Sequence, residues 1–178
     1  MSMTIRRALP DDAPALARLH VDSWRVAYRG LVPDSRLDGL DYDRRAVRFR
    51  EQLEEAPDQT YVVEQEGQLL GFLTLGACRD PDVDPQITGE IWGIYLAPQY
   101  WRRGAGTLLC RYAEQVLALR GYSELKLWVL AGNSSARRFY EAMGFAADGA
   151  SKTLDLGAPL EAVRYGRQGR EEGETHPG

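Results

Sequence analysis

The chain has 178 residues, a formal net charge of −4, 44% apolar and 27% charged residues. This balance suits one soluble globular domain that buries about 70% of its unfolded surface, and it excludes a disordered chain. The longest apolar run, Ile91–Ala97, falls far short of the roughly 20 residues of a spanning helix, and mild acidity disfavours nonspecific nucleic-acid binding.

Met1–Pro10 carries arginines without an apolar core behind them, so no secretory signal is read there and a cytoplasmic location is expected. Cys78 and Cys110 are too few for a disulfide framework, and neither sits in a C-x-x-C. The only histidines are His20 and His176. Converging zinc ligands are therefore missing, and no metal is expected. A Cys–His or Ser–His nucleophilic centre would have to rely on His20 alone.

In chain order, Thr4–Ala8 reads as a strand. Asp11 or Asp12 then offers a cap, and Pro14 fits the first turn of a helix with Leu16, Leu19, Ser23 and Ala27 on one face, ended by Gly30. One further helical segment is expected from about Pro33 to Leu53. Tyr61–Glu64, Leu69–Ala77 and Ile87–Ala97 read as strands, with a turn at Gly67 and a Pro/Asp-rich loop at Arg79–Pro85. Thr107–Arg120 is the clearest helix, closed by Gly121. A strand at Glu124–Leu130, a helix at Ser134–Met143 closed by Gly144, and strands at Phe145–Leu156 and Glu161–Gly166 complete the pattern. The expected organisation is a single domain over residues 1–166 and a frayed, charged tail over 167–178. The fold class is α/β (α+β), with helices on a mixed sheet.

The segment from Glu90 to Leu109 passes from an apolar strand through a basic, glycine-bearing turn straight into a helix. The first turn of a helix has unpaired N–H groups and the positive end of the peptide dipole. Gly104 and Gly106 let a phosphate approach the backbone, and Arg102 and Arg103 add charge. A pyrophosphate suits this turn. It is not a nucleotide P-loop, since no lysine follows, nor a dinucleotide fingerprint, since Leu109 occupies the third glycine position. A nicotinamide-dependent enzyme is disfavoured on that ground.

Trp101-Arg102-Arg103-Gly104-Ala105-Gly106, following Tyr95-Leu96-Ala97-Pro98, resembles the acyl-CoA pyrophosphate loop of the GNAT superfamily of N-acetyltransferases, Q/R-x-x-G-x-G/A, with Trp101 in place of the leading Gln/Arg. Asn133-Ser134-Ser135-Ala136-Arg137-Arg138-Phe139-Tyr140-Glu141-Ala142-Met143-Gly144-Phe145 is similar to that family's N-x-x-A-x-x-F-Y-x-x-x-G-F. The stretch Asp22–Pro33 also looks like members of the superfamily. These matches appear in the family's order and span most of residues 4–166.

The resemblance implies a mostly antiparallel sheet of about seven strands, a splayed strand pair holding the cofactor, and acetyl-CoA as co-substrate. It places a general base at Glu90, acting through water; the strand alternation would put residues 90, 92, 94 and 96 on one face, and a solvated strand-start glutamate is the other reading. Gly93 would mark a bulge that frees backbone groups: the Ile94 N–H for the thioester oxygen, and Leu96, next to Tyr95, for the pantetheine amides. Arg102, Arg103, Gly104, Ala105, Gly106 and Thr107 would hold the pyrophosphate. Tyr140 would act as general acid or serve only as a core aromatic, and Asn133 would bond the pantetheine arm, cap its helix, or both.

Trp24 and Tyr28 either line the acceptor groove or staple their helix to the sheet, while His20 and Cys110 read as packed residues. Arg137 and Arg138 are candidates for the CoA 3′-phosphate or simply exposed. The implied reaction is acetyl transfer to a primary amine of a small molecule or peptide by direct attack in a ternary complex. The alternative is a non-catalytic acyl-CoA-binding sensor. No nucleic acid or membrane partner is expected, and a homodimer stays open. Asp34, Asp38, Asp41, Asp43 and the acids of the Asp80–Asp84 loop would favour a cationic acceptor if they edge the groove.

Overall fold

A computed structural model describes residues 2–169. The first strand, β1 (Thr4–Arg7), leads through a short 3-10 turn at Pro10–Asp12 into α1 (Ala13–Ala27). Asp12 does not cap α1 with its side chain. Its carboxylate instead accepts from the Leu9 N–H at 2.7 Å and pairs with Arg6 at 2.8 Å, which ties the chain entering α1 to β1.

The single helix expected over residues 33–53 is two: α2 (Asp34–Asp38) and α3 (Tyr42–Glu55). Gly39 closes the first, and Asp41, in extended backbone, starts the second by accepting from the Arg44 N–H at 2.7 Å. A glycine followed by an N-cap residue is a stop and a start in succession, and it outweighs the continuity of the apolar pattern.

The remaining elements fall close to the expected places: β2 (Thr60–Gln65), β3 (Gln68–Ala77), β4 (Thr88–Leu96), α4 (Ala105–Leu119), β5 (Glu124–Leu130), α5 (Ser134–Ala142), β6 (Ala146–Asp155) and β7 (Pro159–Gln168). Arg167 and Gln168, assigned to the tail from sequence, belong to β7, and the tail from residue 170 onward lies outside the described residues.

The strands form one seven-stranded sheet in the order β1-β2-β3-β4-β5-β7-β6, antiparallel except for β4 beside β5. Helices cover both faces. On one side Leu73, Leu75 and Ile91 pack with Leu109, Ala113 and Leu117 of α4. On the other, Val62 and Phe72 meet Leu16 and Leu19 of α1 and Phe49 and Leu53 of α3. A smaller cluster of Val32, Leu37, Leu130 and Ala162 seats α2 near the end of β5. Among the described residues no helix is long and apolar enough to cross a membrane.

Candidate active site

The centre of the sheet opens where β4 parts from β5. The two pair only over Thr88–Ile91 against Glu124–Leu127; further on, β4 pairs with β3 alone and β5 with β7 alone. The register of β3 and β4 slips at the same point. Thr74 opposes Gly93 and Leu75 opposes Ile91, so Trp92 is the extra residue of a bulge. Gly93 is required beside it, because a Cβ there would lie 2.6 Å from the Tyr95 ring.

The inserted residue reverses the strand's alternation. Ile91, Ile94 and Leu96 all pack toward α4, while Tyr95 packs toward α1. The expectation that residues 90, 92, 94 and 96 share a face is corrected accordingly: 94 and 96 lie on the face of Ile91, opposite that of Glu90. The bulge thus sends Glu90 and the pair Ile94 and Leu96 to different sides of the sheet.

The Ala97 N–H donates to the Leu70 carbonyl at 2.9 Å. In an antiparallel ladder this directs the polar groups of Tyr95 to β3 as well, and turns those of Ile94 and Leu96 into the gap. Tyr95, grouped from sequence with its neighbours as a cofactor contact, lines the cavity, with its backbone directed to β3 and its ring beside His20 and Phe72 at centroid distances of 5.0 and 5.2 Å. The Leu96 carbonyl already accepts from Trp101 Nε1 at 3.0 Å, so the residue that departs from the motif reaches the mouth of the gap.

Arg102 at φ 60° and Gly104 at φ 90° bend the chain sharply into α4. The first helical bond runs from the Leu108 N–H to the Gly104 carbonyl at 3.0 Å, and among the described residues the N–H groups of 102–107 have no backbone acceptor. Donors converging at the positive end of a helix form an anion site whatever side chains surround them. Ala105 is fully buried and can contribute only its backbone. Arg102, Gly104, Gly106 and Thr107 face the cavity described below. Arg103 turns aside, its guanidinium 5.7 Å from the centre of the Tyr100 ring.

Glu90 is 5% exposed, at the floor of the gap on the α1 side. Its Oε1 accepts from the Arg79 N–H at 3.2 Å, and Oε2 lies 3.9 Å from the Arg79 guanidinium. A solvated strand end is thereby excluded. Cys78 lies close by, and burial pushes its thiol up to about 11; Cys110, inside α4, is pushed up to about 12 for the same reason. Both are thiols at neutral pH, and neither offers a ready nucleophile.

Across the gap, Asn133 caps α5 by accepting from the Ala136 N–H at 3.2 Å. Tyr140 is buried on the same helix, and burial raises its hydroxyl far above an ordinary phenol. Arg137 is held by the Tyr165 hydroxyl and the Ala131 carbonyl, each at 2.9 Å, so it serves the fold; Arg138 faces the cavity. Trp24 and Tyr28 stack edge-to-face 4.8 Å apart, and both line the cavity while packing against the cluster of Leu37, Leu130 and Ala162.

One cavity of about 850 Å³ runs through the splay and joins the two sides. Glu90, Trp24 and Tyr28 line it from the α1 side, and Gly104, Asn133 and Tyr140 from the α4 side. It also takes in Arg79, Trp92, Trp128 and Lys152, which sequence reasoning did not single out. The only signal for Trp92 and Trp128 was an aromatic residue on a strand, which core packing explains equally well, and Arg79 and Lys152 carried none. None of the aspartates expected to edge the groove lines it. Asp34 and Asp38 pair with Arg29, Asp80 and Asp82 with Arg164, and Asp84 accepts from the Gln86 N–H.

Residues 15–145 match the acetyltransferase (GNAT) family. The chain is 30% identical over 141 residues, 79% of its length and 78% of the relative's, to an uncharacterized N-acetyltransferase, YuaI, of Bacillus subtilis. It is 26% identical to a spermidine N(1)-acetyltransferase of Thermoplasma acidophilum, covering 82% of this chain and 89% of that one. In three dimensions it is similar to the PaiA N-acetyltransferase of T. acidophilum solved with coenzyme A, with TM-score 0.74 and 21% identity over 94% and 99% of the two chains. It is likewise similar to YncA, a putative acetyltransferase of Salmonella typhimurium solved with acetyl-CoA, with TM-score 0.71 and 20% identity over 99% of each.

Proposed function

The chain belongs to the GNAT family of N-acetyltransferases, and from that premise we propose that it transfers an acetyl group from acetyl-CoA to a primary amine of a small molecule or peptide by direct attack in a ternary complex. One observation carries this reading: a single cavity joins Arg102, Gly104, Gly106 and Thr107 of the turn into α4 to the buried carboxylate of Glu90 through the gap between β4 and β5.

The residues present suit acetyl-CoA. The turn before α4 has the donors for a pyrophosphate, with Arg102 beside them, and the outward backbone groups of Ile94 and Leu96 offer a strand edge to the pantetheine amides. Asn133 keeps its amide N–H2 for the same arm while its oxygen caps α5. Acetyl-CoA, when bound, supplies the acetyl group as a thioester whose carbonyl carbon is open to an amine.

Glu90 draws the proton from the incoming ammonium through water, so that the amine arrives neutral. The Ile94 N–H donates to the carbonyl oxygen as negative charge builds there. Tyr140 faces the departing sulphur. The neutral amine attacks the carbonyl carbon, the C–S bond breaks, and the proton shed by the new amide nitrogen balances the one taken up by the sulphur, to which the Tyr140 hydroxyl donates. The raised thiols of Cys78 and Cys110 argue against an acyl-cysteine intermediate.

Thermal unfolding tests the reading at its root. Acetyl-CoA at about 100 times its Kd should stabilise the fold by roughly 2.7 kcal/mol, a rise of about 5–11 °C in Tm. NADH and ATP should give no such rise. A chain indifferent to acetyl-CoA would remove the proposal.

A further inference from the structure

The acceptor end of the cavity carries charges opposite to those suited to a polycation. Among the described residues lining it, Glu90 is the only acid, and Arg79 and Lys152 stand on the same side of the sheet. Each of these cations lies over a tryptophan that also lines the cavity. The Arg79 guanidinium is 4.5 Å from the centre of the Trp92 ring, and Lys152 Nζ is 4.1 Å from that of Trp128.

Both platforms are anchored from below. Trp92 lies across Gly76, where a Cβ would come within 2.4 Å of the indole. Trp128 Nε1 donates to Asp80 at 3.0 Å. Asp80 in turn accepts from Arg164 Nη1 at 3.1 Å, and Asp82 takes the same guanidinium at 2.7 and 2.8 Å. The carboxylates of Asp80 and Asp82 are thus already engaged by Arg164. Among the described residues no carboxylate pairs with Lys152, and the Arg79 guanidinium has only Glu90 Oε2, at 3.9 Å, too long for a hydrogen bond.

Resting on the acetyltransferase reading, we infer that the acceptor is a small zwitterionic amine, whose nitrogen meets Glu90 while its anionic group, a carboxylate or a phosphonate, is held by Arg79 and Lys152. The short distance from Glu90 to Arg79 favours an amine and an anion a few bonds apart, as in an α-amino acid. The tryptophan faces position the two cations and supply apolar walls for the rest of the molecule. A polyamine would instead bring its second ammonium against Arg79 or Lys152, with no carboxylate of the lining except Glu90 to receive it.

The test compares acetylation, followed by CoA release, of phenylalanine, leucine, methionine and 1-aminoethylphosphonate with that of phenylalaninamide, phenethylamine and spermidine. At least one anionic amine should exceed all three non-anionic amines in kcat/KM by tenfold or more at low salt, and the margin should shrink as salt screens the pairing. Lys152→Glu, at an exposed position, should lower the ratio of kcat/KM for the anionic amine over its amide at least tenfold, at unchanged Tm. The inference is overturned if phenylalaninamide or spermidine matches the best anionic amine, if no anionic amine is acetylated, or if Lys152→Glu leaves the ratio where it was. In each of those cases acetylation of any of the other amines, with a Tm rise on acetyl-CoA, preserves the acetyltransferase reading, and the absence of a rise removes both.

Discussion

Glu90 and Tyr140 approach the gap from opposite sides of the sheet, and their substitutions should separate two kinds of contribution. Glu90→Gln keeps the shape and loses the base; kcat should fall about 10²- to 10⁴-fold, with the Tm rise on acetyl-CoA intact. Tyr140→Phe removes one hydrogen bond to a charged sulphur, roughly 1.5–3 kcal/mol, and should cost about 10- to 150-fold in kcat. If the tyrosine loss equalled that of Glu90→Gln, proton transfer by Tyr140 would be limiting.

His20 tests the fold at the same scale. It is packed among Trp24, Phe49, Phe72 and Tyr95, and its Nδ1 has no partner among the described residues. Burial, reinforced by the Arg45 charge, pushes it down to about 3. The unfolded chain therefore takes up a proton at this histidine between about pH 6.5 and 3 that the folded chain refuses. Its contribution to stability is complete above pH 6.5 and declines as pH falls toward 3, by on the order of 1.4 kcal/mol per pH unit at most. His20→Phe should flatten that part of the stability–pH curve in urea titrations, and equal slopes in both proteins would contradict it. At this scale Glu90 and Asn133, singled out through the family resemblance, both line the cavity. Arg79 and Lys152 were not legible in the sequence, since a lone cation in a loop or on a strand has no local signature and acquires one only from the ring it covers.

The element that makes the site is β4, and the bulge at Trp92 is its working part. The sequence signalled an irregularity there through Gly93, yet it could not say which residue is extra, and a displacement of one residue changes which side chains face α4. Gly71 supports the same strand from β3: a Cβ there would lie 2.4 Å from Leu96 Cδ2 and 2.7 Å from the Tyr95 carbonyl oxygen. Because backbone cannot yield as a side-chain tip does, Gly71→Ala should destabilise by about 1–3 kcal/mol in chemical denaturation. It should also raise KM for acetyl-CoA by shifting Leu96, whereas a variant as stable as the parent would show β4 to be more pliant than the packing implies. Elements α2 and α3 give the opposite lesson. Gly39 and Asp41 both stand in the sequence, and reading them as stop and cap would have divided the helix without any tertiary information.

On the scale of the whole molecule, Arg164 ties the loop after β3 to the far end of the sheet. Its side chain is 8% exposed and bonds Asp80, Asp82 and Asp148, residues spread from the β3–β4 loop to β6. Arg164→Leu would leave the largely buried Asp80 without its counter-charge, while Asp148 keeps Lys126 at 2.8 Å, at a cost of about 3 kcal/mol or roughly 6–12 °C in Tm. Since the same loop carries Arg79, activity should fall further than Glu90 alone would explain. A Tm within 2 °C of the parent, roughly the effect of 1 kcal/mol or less, would show that the network is solvated and adds little.

Local signals in the sequence determined the number and kind of most elements, the turn into α4 and the acetyltransferase motifs, because caps, glycines and apolar periods act between residues a few positions apart. The side of the sheet on which each part of β4 presents its groups, the pairing of Arg164 with acids far away in the chain, and the meeting of Arg79 and Lys152 in one cavity were decided by the tertiary structure. Each of these depends on strand register and on contacts between distant segments, and the charge of an aspartate says nothing of where its carboxylate finds a partner.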